Sequence, residues 1–367
     1  MKILLIGEYS NLHATLAEGL RELGHEVTVI SDGTRWRNYK RDINLQRKSR
    51  SKTDAIKYVC SLIKLLPRMR GYDVVQLINP DCFSLKAKHQ YHIYRYLQKH
   101  NSKVFSGAFG CDWYWVHSGL NMKLFRYGDF YIGDKMRTDY QEGKKLIDEW
   151  YNTPKGEYSR YVNETCHGIP ACLYEYKVCY GHYFPEKTEF IPLPIIPTHS
   201  SPVHETEQGR IRFFIGIDTR RSEYKGTDIM YKALCDIKKA YPDRCDIIKA
   251  EHLPFDIYER MMDSCDVILD QLYSYTPAMN ALLAMSKGII CVGGGEPENY
   301  EILKETDLRP IINVLPNYDS VYHELEQLIL HPEKIEDLKM QSIEYVRRHH
   351  DYIKVAELYA KFYNKEM

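Results

Sequence analysis

No run of apolar residues in this chain reaches the roughly 18 that a membrane-spanning helix needs, so the sequence predicts no transmembrane span. Its ten cysteines include no Cys-x-x-Cys pair. Most of them sit among apolar or aromatic neighbours and read as buried free thiols of a reducing compartment, which implies a cytoplasmic protein. The densest Cys/His group is Cys166, His167, Cys172, Cys179 and His182, and its spacings fit no common structural zinc pattern. No Gly-x-Gly-x-x-Gly is present, which argues against a nicotinamide oxidoreductase. No Asp-x-Asp occurs either, so a carboxylate-held metal has no evident site, and neither a metal nor another cofactor is expected. Net charge is also missing: Lys+Arg and Asp+Glu are both 50. No overall field draws the chain to nucleic acid, which is not an expected partner.

What is present is an alternation. The 367 residues, 44% apolar and 27% charged, suit two globular domains rather than one core. The opening MKILLIGEYS reads as a first strand, too short in its apolar part for a secretion signal. Apolar runs at 2–6 and 26–30 flank a helical pattern at 12–23 that Gly24 stops, a β-α-β unit. Further runs at 74–78, 104–106 and 130–132 are expected as buried parallel strands. Proline, serine and threonine interrupt every pattern between 190 and 209. The alternation restarts with strands at 211–217, 246–249, 267–270 and 288–292 and helices at 227–240, 255–262 and 279–286. The reading is an α/β protein of two Rossmann-like, doubly wound domains facing across a cleft: an N-terminal domain at 1–195, a linker at 196–210, and a C-terminal domain at 211–345. A tyrosine-rich helix within 346–367 is expected to cross back to the first domain.

Three stretches carry chemistry. The first strand ends in GEYSNLHATLAEGL, which puts Gly7 and Ser10 in a tight loop and His13 in the first turn of a helix, where a helix N-terminus can meet a ligand. A plain turn with a polar surface histidine remains the alternative. In FFIGIDTRRSEYKGTDIM a strand runs into a loop with Arg220, Arg221 and Lys225 ahead of a helix, an arrangement suited to a diphosphate, or else a solvated basic loop. Residues 35–52 hold eight basic residues against Asp42, and the amphipathic AIKYVCSLIKLL follows. Residues 35–66 therefore offer a peripheral contact with an anionic membrane face, or an ordinary crossover helix behind a solvated loop.

Four motifs in order resemble glycosyltransferase family four: GHEV at 24–27, Arg-x4-Lys-Gly at 220–226, ILDQLYSYTPAMNALLAMSKGIICV, and GGGEPE at 293–298. The resemblance spans most of the chain. It implies the GT-B fold and metal-independent, retaining transfer of a sugar from a nucleotide-sugar donor to a saccharide or lipid-linked acceptor, in surface polysaccharide or glycoconjugate synthesis. Carried over residue by residue, Arg220 and Lys225 match the pair that grips the donor diphosphate. Asp112, in Gly110-Cys111-Asp112, matches an N-terminal-domain loop at the cleft and with Arg220 and Lys225 is a candidate catalytic residue, although the histidine often found just before that loop is Phe109 here. Asp270 and Gln271 match a pair near the sugar, and Gly294 and Gly295 lie on the glycine-rich loop. Two family glutamates are replaced by Tyr275 and Leu283. Since the second usually binds the donor ribose, Glu298 and then Glu296 are the nearest substitutes, with helix N-terminal stabilisation as their other reading. Two alternatives stay open: a GT-B nucleotide-sugar epimerase, which keeps the fold and changes the reaction, and a nucleotide-sugar-binding subunit without turnover, to which the missing glutamates give weight.

Overall fold

The structure is a computed structural model that describes residues 1–34, 38–137, 141–207 and 209–366. In chain order the first half carries β1 (Lys2–Ile6), α1 (Leu12–Glu22), β2 (Glu26–Ser31), β3 (Ile43–Asn44), α2 (Lys52–Leu65), β4 (Val74–Leu77), α3 (Ala87–His100), β5 (Lys103–Ser106) and α4 (Trp113–Asn121). It continues with β6 (Tyr131–Ile132), β7 (Lys135–Met136), α5 (Gln141–Trp150), α6 (Pro154–Thr165), β8 (Ile169–Ala171), α7 (Tyr174–Tyr183) and β9 (Thr188–Phe190). The second half carries β10 (Ile211–Ile217), α8 (Ser222–Lys225), α9 (Thr227–Ala240), β11 (Cys245–Glu251), α10 (Phe255–Met262), β12 (Val267–Leu269) and α11 (Met279–Ser286). After these come β13 (Ile290–Gly293), α12 (Pro297–Leu303), β14 (Ile312–Asn313), α13 (Tyr318–Leu330), α14 (Ile335–His349) and α15 (Tyr352–Asn364).

The first compact unit comprises Met1–Leu124, Lys145–Pro194 and Tyr352–Met367. Its parallel sheet has the order β3-β2-β1-β4-β5, with Ile3 opposite both Val27 and Val74. Ile3, Leu4, Leu5 and Ile6 are all buried, because a parallel strand covered on both faces needs a continuous apolar run rather than an alternating one. The pair β8-β9 continues beyond β5 through bridges at Phe105–Gly168 and Ala108–Ala171. Helix α15 packs on α1 and buries Val355, Ala356, Tyr359, Phe362 and Tyr363. Helix α2 starts at the Ser51 cap, whose side chain accepts from the Asp54 amide at 3.1 Å. It buries Tyr58, Leu62 and Leu65 while leaving Ile56 and Ile63 65% and 60% exposed.

The second unit comprises Phe125–Lys144 and Ile195–Asp351. Its parallel sheet has the order β11-β10-β12-β13-β14. Phe213, Ile215, Val267, Leu269, Ile290 and Val292 form the sheet's share of a core closed by Met230, Leu234 and Ile237 of α9 and by Val321, Leu325 and Leu328 of α13.

Three expectations change. Residues 196–210 are not a free linker, because they are tied into the second unit. The Ile195 amide donates to His350 O at 2.7 Å and the Val203 amide to Lys287 O at 3.0 Å. Wholly buried Lys339 donates to His204 O, Thr206 Oγ1 and Asp266 Oδ1 at 2.9, 2.6 and 2.7 Å. The run at 130–132 is not a buried parallel strand: β6 pairs antiparallel with β7 in a small, half-exposed hairpin. The N-terminal domain is likewise not the single stretch 1–195, since Phe125–Lys144 groups with the second unit. No helix among the described residues is long and apolar enough to cross a membrane. Arg35, Trp36 and Arg37, the start of the basic stretch, lie outside the described residues.

Candidate functional site

In each sheet the strand order reverses next to the first strand, between β1 and β4 and between β10 and β12. Loops leaving the C-terminal ends at such a switch point are where open α/β sheets bind ligands. In the first unit that loop is Gly7 to Asn11. Gly7 has φ +88°, and a Cβ there would lie 2.2 Å from Ile78 Cγ2, so the turn requires glycine. Ser10 and Asn11 follow at φ 52° and 74°. Helix α1 has no side-chain cap on Asn11. The Glu8 carboxylate fills that end instead, accepting from the His13 and Ala14 amides at 3.3 and 2.9 Å. Burial pushes the Glu8 carboxyl up to about 7 against these hydrogen bonds. The helix terminus that could have met an outside anion already holds one of the protein's own carboxyl groups.

His13 is neither on the surface nor open to a ligand. It is fully buried, with Nδ1 2.9 Å from Gly7 O and Nε2 3.0 Å from Gln76 Nε2. Gln76 Oε1 accepts from the Tyr363 hydroxyl at 2.7 Å. A carbonyl can only accept, so Nδ1 carries the proton and Nε2 accepts from the Gln76 amide. Burial lowers the His13 pKa to about 3, against the pull of the Gly7 carbonyl. The ring is a neutral strut between β1, β4 and α15.

Asp112 is corrected in the same way. It caps α4, accepting from the Trp115 amide at 3.1 Å, and takes bonds from Ser159 Oγ and Asn163 Nδ2 of α6, each at 2.8 Å. It is 0% exposed, and burial moves its carboxyl above the ordinary range. The catalytic role expected from the family match does not fit a carboxylate whose oxygens are committed to two helices. Phe109 is buried, and Gly110 packs against the Tyr9 ring.

The remaining candidates come together at one edge of the second sheet. The chain leaves β10 into Asp218, Thr219, Arg220 and Arg221, makes the single turn of α8, and enters α9 at Gly226. Arg220 is 80% exposed at its side chain and forks onto Asp218, with Nε–Oδ1 at 3.1 Å and Nη2–Oδ2 at 3.2 Å. That pairing lowers the Asp218 pKa. Lys225 ends α8 half-buried, and its carbonyl accepts the Leu272 amide at 2.9 Å, which binds this loop to the one after β12. In that second loop Asp270 is buried and accepts from Asn280 Nδ2 of α11 at 3.1 Å, with half-buried Gln271 beside it. The glycine loop after β13 completes the edge. A Cβ on Gly294 would lie 2.3 Å from Ser274 O, the Glu296 amide donates to Tyr275 O at 3.2 Å, and the Gly295 amide donates to Asn313 Oδ1 at 3.0 Å.

Sequence reasoning missed what covers this edge. Arg126 lies in Phe125–Lys144 and grips Glu298 with Nη1 and Nη2, while Nη2 also reaches Glu296 Oε2 at 2.6 Å. Glu296 Oε1 further accepts from the Tyr127 hydroxyl and from Asn313 Nδ2. Tyr275, standing where the family has a glutamate, takes the Arg126 amide on its hydroxyl at 2.7 Å and stacks near Tyr127, with ring centroids 4.8 Å apart. Further along, Asp129 accepts from the Tyr224 hydroxyl at 2.8 Å, and Arg137 lies 3.3 Å from the centre of the Tyr273 ring while donating to Glu223 O at 3.0 Å. Glu296 is therefore withdrawn as a ribose acceptor, since it is 4% exposed and its two oxygens already serve three donors. Glu298 remains accessible, with 19% of its side chain open; its hydrogen bond from Arg126 lowers its pKa. Leu283 is only half-buried. Among the described residues, no group of three or more His, Cys, Asp or Glu side chains is placed to share a metal ion.

No family model matches the chain, and no curated protein matches it. Solved structures do, along nearly the whole length. A sucrose-phosphate synthase from Thermosynechococcus elongatus superposes with a TM-score of 0.61 at 11% identity, covering 99% of this chain and 98% of that one. Anabaena Alr3699/HepE in complex with UDP-glucose gives 0.59 at 11% identity, covering 98% of each chain. The UDP-GlcNAc 2-epimerase of Neisseria meningitidis, bound to UDP-GlcNAc, gives 0.54 at 12% identity, covering 98% of this chain and 99% of that one. The fold is GT-B, an α/β architecture with two five-stranded parallel sheets.

Proposed function

We propose that this protein is a retaining glycosyltransferase of the family-four kind, which moves a sugar from a uridine diphosphate donor to a saccharide or lipid-linked acceptor in surface polysaccharide or glycoconjugate synthesis. The observation that carries the reading is the Arg220-to-Gly226 loop, held at the switch point of the second sheet by the bond from Leu272 N to Lys225 O. Full-length similarity to proteins solved with UDP-glucose and UDP-GlcNAc supports a uridine nucleotide. In the reaction the bond between the sugar C1 and the diphosphate oxygen breaks, and the diphosphate leaves with the electron pair. The acceptor oxygen bonds to C1, and its proton passes to the departing phosphate or to water. Arg220 and Lys225 supply positive charge where negative charge develops, so no metal is required. Arg220 is free to turn from Asp218 to the diphosphate because their pairing is water-exposed and correspondingly weak. Asp270 and Gln271 face the sugar end, and the protein acts in the cytoplasm.

The test is UDP release from a panel of UDP-sugars, with and without saccharide acceptors. Release that rises with acceptor and is lost in Lys225→Ala supports transfer, whereas failure of every UDP-sugar to bind in calorimetry removes the reading. The epimerase neighbour makes the sugar itself worth analysing. A 2-epimerised UDP-sugar formed without acceptor replaces transfer with epimerisation, although His13 and Asp112 are unavailable for the proton movements that reaction requires.

A further inference from the structure

The first unit has a cavity of about 680 Å³ that the assignments above leave unused. It is lined by Arg47, Lys48, Arg50 and Lys86, with Asp32 and Asp81 as its carboxylates. These residues come from the loops that follow β2, β3 and β4, so the cavity opens at the C-terminal edge of the sheet, where parallel sheets take ligands. Its volume is that of a small-molecule site.

Cations outnumber carboxylates around it, four to two. Asp81 shares Lys155, 2.6 Å away, with Glu149 and is hydrogen-bonded by Gln90, while Asp32 accepts from the Thr34 amide at 2.9 Å. Arg50 and Lys86 have no carboxylate within ion-pair distance among the described residues. Arg47 spends Nη2 on the carbonyls of Arg50 and Ser51, at 3.1 Å each, which stiffens the loop. Its Nε is enclosed with no acceptor, a buried donor of a kind that folded proteins seldom leave unmet. Asp32 and Asp81 offset only part of this charge, and a bound anion would offset more of the repulsion among the four cations. A neutral saccharide gives no reason for such a lining, whereas phosphate oxygens accept several charge-assisted bonds from arginine and lysine together.

We propose that this cavity is the acceptor site and that the acceptor carries a phosphate, held by Arg47, Lys48, Arg50 and Lys86. The acceptor role rests on the transferase reading above. The phosphate belongs either to a soluble sugar phosphate or to the link between a sugar and a lipid.

The experiment uses the full chain and four probes: glucose 1-phosphate, glucose and UDP by calorimetry, and sedimentation with phosphatidylglycerol–phosphatidylcholine vesicles. The variant is Arg50→Ala/Lys86→Ala, whose two side chains are exposed and so can be truncated with the fold intact. Glucose should not bind. Glucose 1-phosphate or the vesicles should bind the wild type and bind the variant at least about tenfold more weakly, with UDP affinity unchanged. Binding of glucose 1-phosphate assigns a soluble acceptor, and binding confined to vesicles assigns a lipid-linked one. If neither probe binds, or the variant binds as the wild type does, the phosphate site is refuted. If phosphate binding persists but UDP never binds, the transferase reading fails and the acceptor role fails with it.

Discussion

Arg126 holds Glu298 with both terminal nitrogens of its guanidinium across 172 positions of sequence. The bond fastens a segment from the first half of the chain over the loops that carry Arg220, Asp270 and Gly294. Removing either partner should loosen this clasp. Arg126→Ala and Glu298→Gln should each destabilise the protein by about 1 kcal/mol. The effect stays small because Arg126 is 56% exposed at its side chain. In a double-mutant cycle of urea midpoints the pair should cost clearly less than the sum of the single changes. Additive effects would mean that the contact contributes nothing.

The second prediction concerns the leaving group. Lys225→Ala or Arg220→Ala should slow transfer by at least about a hundredfold, as loss of a donor aimed at developing charge does. UDP binding should weaken as well. A chelator added to the wild type should leave turnover in place if, as proposed, the two cations rather than a divalent ion neutralise the diphosphate. Near-normal rates in both variants, or activity abolished by the chelator, would remove this assignment.

These predictions rest on the part of the molecule that sequence made legible. Strands β1, β4, β10 and β12 were visible because burial on both faces forces apolar runs, and the loop with Arg220 and Lys225 was visible because it sits between such a strand and a helix. Two-residue strands such as β3 and β14 carry too little pattern to be seen. At 130–132 the aromatic and apolar residues imitated a core strand, whereas Tyr131 and Ile132 are half-exposed in a hairpin. The clasp and the His13 strut were hidden for a different reason. Arg126 meets Glu296 across 170 positions, and Tyr363 meets Gln76 across 287. Polar contacts at such separations leave no periodic trace, so His13 read as a ligand-facing or surface residue and Asp112 as catalytic.

Glu8 should give the protein a distinctive pH dependence. Its carboxyl titrates near 7 in the folded state and near 4.5 unfolded. Between these values the folded protein binds more protons, so the Glu8 contribution is full below about 4.5 and is lost as pH rises through about 7. His13 has the opposite slope: its pKa falls from 6.5 to about 3 on folding, so its contribution is present above 6.5 and lost as pH falls towards 3. Glu8→Gln removes the first slope and keeps the second. The stability of Glu8→Gln relative to wild type should therefore rise between pH 5 and 8, by up to about 3 kcal/mol from the size of the shift. Urea melts across that range measure it, and a difference that stays constant with pH would contradict the buried carboxyl.

The last prediction concerns the donor ribose, which neither Tyr275 nor Leu283 can bind as a glutamate would. Of Glu296 and Glu298, Glu298 is the one still accessible, and Arg126 fixes it in place before any ligand arrives. A carboxylate accepting from ribose hydroxyls makes charge-assisted bonds worth roughly 1.5–3 kcal/mol each. Glu298→Gln should therefore weaken UDP binding by about tenfold or more, while 2′-deoxy-UDP, which lacks one of those hydroxyls, should lose less. Leu283→Glu should not restore what the family glutamate supplies. Position 283 is half-buried between buried Leu282 and Ala284, where an unpaired carboxylate is costly to desolvate. Calorimetric titrations of the wild type and both variants with the two nucleotides decide the matter. Equal UDP affinity in Glu298→Gln, or tighter binding in Leu283→Glu, would move ribose recognition away from Glu298.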